Sequence, residues 1–130
     1  MNKQMGLMLI CALPFSALAN ETASLNTALE KLNTEVPATL MAHEVNISQG
    51  EKLAQTRCIA CHSKTMLTMM PNYPSLYGQK PAYLIKTLLD FKQGKRQDPI
   101  MKMQAASLSD ANIKDVAWYY SQQPPLQLNK

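Results

Sequence analysis

The pentapeptide Cys58-Ile59-Ala60-Cys61-His62 constrains this 130-residue chain more than any other stretch. Two thiols three positions apart beside an imidazole serve few structural purposes. In an oxidising compartment a lone pair at that spacing is a poor disulfide framework. A thioredoxin-type redox pair would want a βαβ context, and no alternating strand pattern occurs here. A zinc site would need two more Cys or His ligands, and in the exported chain only His43 remains. The haem-attachment reading uses every group: both thiols add across the vinyl groups of one haem, leaving thioethers, and His62 faces the iron as an axial nitrogen ligand.

The first residues say where this happens. Lys3 precedes an apolar run from Leu7 to Leu18, and Ala17-Leu18-Ala19 closes it with small residues at the outer positions. Residues 1–19 therefore read as a secretory signal peptide cleaved after Ala19, which removes Cys11. The run is about half of what a membrane span needs, and no later segment approaches that length. A cytosolic enzyme, a multidomain protein and a membrane channel are excluded, and the periplasm is the expected compartment.

Residues 20–47 hold Glu21, Glu30, Glu35 and Glu44 against Lys31. Leu25, Ala28, Leu29, Leu32 and Val36 follow helical spacing until Pro37. This acidic, helix-capable segment is expected to be a solvated leader, His43 with it; a docking helix is the alternative. From residue 48 three helices are legible. The first opens on a Ser48…Glu51 capping box and runs toward Cys61. The second has Pro81 in its first turn and Gly94 past its end. The third opens at Ser109-Asp110 and stops before Pro124-Pro125. Stretches 63–80 and 95–108 read as irregular. Three short helices with Phe91 and Trp118 as their largest apolar groups bury little alone, so a large apolar object is expected to complete the core.

Residues 48–123 resemble the short bacterial class I cytochromes c. Gly50 stands eight residues before Cys58, like the family's N-terminal helix glycine. Pro74, Leu76 and Gly78 resemble its P-x-L-x-G stretch, and Leu108-Ser109-Asp110 with Val116-Ala117-Trp118-Tyr119-Tyr120 resembles its last helix. The resemblance implies an all-α fold: three main helices wrapped around one covalently bound haem c, here with an extra N-terminal leader. It implies that Gly50 and Tyr119 meet where the first and last helices cross, and that the Pro74 carbonyl accepts the ring N–H of His62. The family's sixth iron ligand sits in the loop before the last helix, leaving Met101 and Met103. Met101, after Pro99-Ile100 and seven residues before Leu108, resembles the P-x-M loop and is preferred, with Met103 the alternative. Met66, Met69 and Met70 are expected to pack loops or the haem edge.

Residues 48–130 carry eleven Lys and Arg against five acidic groups, and Lys64, Lys80, Lys86, Lys92, Lys95, Arg96 and Lys102 fall in stretches expected to frame the haem. A basic rim suits an acidic docking face on a redox partner. Nucleic acid is a poor partner for an exported domain without interleaved basic and aromatic stripes. Tyr73, Tyr77, Tyr83 and Lys80 are candidates for haem-edge contacts. The expectation is a monomeric periplasmic monohaem carrier of single electrons, not itself an enzyme. The alternatives are a haem-bearing subunit of a periplasmic dehydrogenase, or a haem protein with a labile sixth ligand.

Overall fold

The protein is described here from a computed structural model covering residues 15–128, with side chains from residue 20. Most of the expected signal peptide, residues 1–14, lies outside the described residues. The elements are α1 (Phe15–Glu30), α2 (Ala38–Ala42), α3 (Ile47–Leu53), a π-helical turn at Ala54–Cys58, α4 (Ile59–His62), α5 (Lys64–Met69), α6 (Pro81–Lys92), α7 (Pro99–Ala106) and α8 (Asp110–Ser121). The fold is all-α, with no strand among the described residues. None of the described helices is long and apolar enough to cross a membrane.

The frame is the crossing of α3 with α8, against which α6 packs. Closeness there depends on Gly50. A Cβ on it would lie 2.2 Å from the Asp115 carbonyl oxygen and 3.0 Å from the Tyr119 Cβ. Gly50 and Tyr119 do meet, but the backbone of Asp115 sets the limit. Around this crossing Leu53, Ala54, Leu84, Ile85, Leu89, Leu108, Ile113, Val116, Ala117, Trp118 and Tyr120 form one apolar cluster.

Local chemistry explains most helix ends. Pro81 begins α6, and Gly94 follows its end at φ +73°, a left-handed conformation that favours glycine. The Ser109 hydroxyl accepts the Asn112 N–H to cap α8. The start of α3 differs from expectation. Asn46, not Ser48, is the cap, and its side chain accepts the Gln49 N–H at 3.0 Å. Two helices also stand where irregular chain was expected. Ser63 caps α5 by accepting the Met66 N–H, and Asp98 caps α7 by accepting the Met101 N–H at 2.8 Å, with Pro99 at the first helical position.

The larger difference is in residues 20–47. Leu25, Leu29 and Leu40 are buried in the same apolar cluster as Ile85 and Trp118. The segment is packed on the domain, not solvated. Polar stitches hold it. Lys114, 0% exposed, donates to Asn26 Oδ1 at 3.0 Å and to the carbonyls of Met41 at 3.1 Å and His43 at 2.8 Å. Asp115, 1% exposed, accepts the Asn46 N–H and faces His43 Nε2, both at 2.8 Å. His43 is therefore tied to the back of α8 rather than solvated. Thr34 donates to Asp90 and Thr39 to Asp110, while the Gln93 amide donates to the Glu35 carbonyl.

Candidate functional site

The pentapeptide lies where α3 runs on into α4. Between them the helix widens for one turn, Ala54–Cys58, a form that recurs at functional sites. Cys58 and Cys61 are both free thiols and half-buried. Burial pushes the Cys58 thiol above its ordinary pKa, while the Arg57 cation and a hydrogen bond with Tyr120 pull the other way. Burial likewise pushes the Tyr120 phenol well up, so it stays a neutral donor.

His62 is buried and its Nδ1 lies 2.8 Å from the Pro74 carbonyl oxygen, twelve residues along the chain. A carbonyl can only accept, so Nδ1 is the donor, and in the neutral ring this leaves Nε2 with its lone pair. The chain between them is built to return: Ser63 turns it into α5, and 70–80 brings Pro74 back over the ring. Gly78 anchors the far end. Its N–H donates to the Tyr120 carbonyl at 2.9 Å, and at φ +69° a Cβ there would press 2.7 Å from Pro125 Cγ.

Aromatic rings line this region. The Tyr73 ring centre is 6.3 Å from that of His62, and Tyr77 and Tyr119 meet Tyr120 edge-on at 5.4 and 5.5 Å. Tyr83 is half-exposed and Lys80 is exposed, at the start of α6. On α7 the two candidate methionines differ: Met101 is half-buried, whereas Met103 is 66% exposed. Met66 is half-buried, and Met69 and Met70 are exposed.

Of the basic residues expected as a rim, some are occupied. Lys86 pairs with Asp90, Lys92 pairs with Asp110 at 3.2 Å and reaches the Leu108 carbonyl at 2.8 Å, and the Arg96 guanidinium sits 5.0 Å over the Phe91 ring. Lys64, Lys80, Lys95 and Lys102 remain exposed. Two residues escaped the sequence reading. Tyr120 was legible only as part of the stretch that resembles the family's last helix, and Arg57 carried no signal at all; it reaches from the π turn to Gln104 and Ser107 at the end of α7.

This donor set fits a covalently held haem: two free thiols on one helical stretch, and an imidazole whose outer nitrogen is left for iron by its bond to Pro74.

The comparisons agree. The Cytochrome c family model matches residues 47–123. Over 75 residues the chain is 41% identical to a cytochrome c4 of Thiocapsa roseopersicina, a match spanning 58% of this chain and 38% of that one. It is 38% identical over 69 residues to the cytochrome c-554(548) of Halomonas halodenitrificans, covering 51% of this chain and 83% of that one. A thiosulfate dehydrogenase electron acceptor of Stutzerimonas stutzeri is 33% identical over 91 residues, 63% of this chain and 42% of its own. The chain thus spans less than half of the Thiocapsa and Stutzerimonas proteins. With the helical frame, the Gly50 crossing and the Cys58–His62 stretch inside the matched residues, the chain belongs to the cytochrome c family, the covalently haem-bearing proteins of electron transfer.

Proposed function

We propose that this chain is a periplasmic monohaem c-type cytochrome that passes single electrons between redox partners. The supporting observation is the 2.8 Å approach of His62 Nδ1 to the Pro74 carbonyl, which presents Nε2 as an iron ligand beside two free thiols. When bound, the haem supplies a one-electron ferric/ferrous couple. Cys58 and Cys61 are its covalent attachments and His62 its first axial ligand. Met101 is the second, favoured over Met103 because it is half-buried and the other points to solvent. A thioether opposite an imidazole stabilises ferrous iron and raises the potential. His62 and Tyr120 are both buried.

Exposed Lys64, Lys80, Lys95 and Lys102 suit an acidic docking face on the partner. A second reading, a haem subunit that works in a complex with a dehydrogenase, is favoured by the name of a relative from Chlorobaculum tepidum, a cytochrome subunit of sulfide dehydrogenase, 34% identical over 76 residues. Size exclusion of the purified chain separates the two readings: a carrier elutes as a monomer. The reduced-minus-oxidised spectrum tests the site itself. The expected result is a c-type spectrum with the weak methionine–iron band, its colour kept on the polypeptide through acid–acetone extraction. Extraction of the haem intact contradicts the covalent reading.

A further inference from the structure

Arg57 stands immediately before the first attachment cysteine, at the end of the π turn, yet its side chain serves α7. Its Nη2 donates to Gln104 Oε1 at 3.3 Å and to the Ser107 hydroxyl. Ser107 is the residue that ends α7, and its hydroxyl in turn donates to the Gln104 carbonyl at 2.8 Å. Through this one nitrogen the guanidinium grips the last turn of the helix that carries Met101 and Met103, its acceptors Gln104 and Ser107 lying 47 and 50 residues away in sequence. At its other end α7 is held by the Asp98 cap, and between them it buries a single side chain, Ala105, while packing on α6. Both acceptors are neutral and the guanidinium is charged at every physiological pH, so the bonds are charge-assisted without an ion pair.

We propose that Arg57 is a positioning residue that latches α7 to the attachment helix and thereby sets how often the methionine leaves the iron. The latch rests on the reading above that a methionine of α7 is the sixth ligand, and it holds equally for Met101 or Met103. It acts through that methionine. Its consequence is that access of small ligands to the sixth position is governed from the haem-attachment segment itself.

The test is the rate at which added imidazole binds the ferric holoprotein, read by stopped-flow absorbance, with the methionine–iron band recorded for each variant. Arg57→Ala, which removes both bonds, is expected to speed entry about tenfold or more, with Arg57→Lys falling between it and wild type. Gln104→Ala combined with Ser107→Ala leaves the attachment stretch untouched and is expected to reproduce the effect. Adding Arg57→Ala to that pair is expected to change nothing more, because the latch is already open. Wild type that shows the band while both sets of variants bind imidazole within twofold of it overturns the latch alone. Effects of the two sets that multiply also overturn it. Wild type without the band overturns the ligand assignment and the latch together.

Discussion

Gly50 and Asp115 approach so closely that a Cβ on the glycine would stand 2.2 Å from the Asp115 carbonyl oxygen. The same aspartate turns its carboxylate the other way, to His43 and the Asn46 N–H. One residue of α8 thus fixes the helix crossing with its backbone and the N-terminal segment with its side chain.

Gly50→Ala is expected to cost about 3 kcal/mol, since the obstacle is backbone and cannot rotate away. Gly94→Ala meets nothing within 4 Å and is expected to cost only the left-handed strain at φ +73°, about 1 kcal/mol. Urea unfolding of the holoprotein gives both values. Equal losses would mean the crossing relaxes more than its geometry implies.

Lys114→Met is expected to destabilise the protein by roughly 2–4 kcal/mol, because Asn26, Met41 and His43 lose a donor inside the molecule. Removing residues 1–45 should lower the melting temperature as well, by uncovering the apolar surface against Leu25, Leu29 and Leu40. A chain starting at Asn46 that melts like the whole one would return the segment to the role of a solvated leader.

Acid should loosen that segment first. The hydrogen bond from Thr39, with Lys92 beside it, holds the Asp110 carboxyl below its usual value despite partial burial. Burial would raise Asp90, but hydrogen bonds from Lys86 and Thr34 outweigh it and leave its pKa lowered too. A carboxyl depressed in the folded state stabilises it above the unfolded pKa of about 4, and that contribution disappears as pH falls through the folded value. Both carboxylates accept from threonines of the N-terminal segment. Amide exchange at residues 31–43 is therefore expected to quicken below about pH 4 before the core opens; uniform quickening across the chain would contradict this.

The frame of this fold was legible because its helices carry local punctuation: Pro81 and Gly94 around α6, Ser109 before α8, and the glycine, cysteines and histidine at fixed offsets along α3 and α4. α7 was less so: Asp98 and Pro99 punctuate its start, but its eight residues carry no apolar stripe of helical period. The packing of residues 20–47 was hidden for another reason. Leu25 and Leu29 had helical spacing, but four glutamates among them suggested water, and the partners that hold the segment are Lys114 and Asp115, far away on α8. The visible clue lay there, in two charges set inside the run Ile113, Val116, Ala117. Of the site, His62 was readable from the motif and its Pro74 partner from the family resemblance; the Arg57 bonds to α7 depend on a crossing of chain that no motif records.

Met101→Ala is expected to abolish the methionine–iron band and open a position that carbon monoxide fills, while Met103→Ala, at a side chain 66% exposed, keeps the band. Met101→His should keep iron six-coordinate and lower the potential, because a second imidazole favours ferric iron more than a thioether does. The reverse pattern in the two alanine variants moves the ligand by two residues along α7.

Spectroelectrochemical titration of the purified full chain, with haem counted per polypeptide, bears on electron carriage most directly. One haem per chain and a single reversible wave of one electron, followed in the visible spectrum, is the expected result. A chain without a visible chromophore whose Cys58–Cys61 pair instead titrates as a two-electron dithiol would contradict the proposed function.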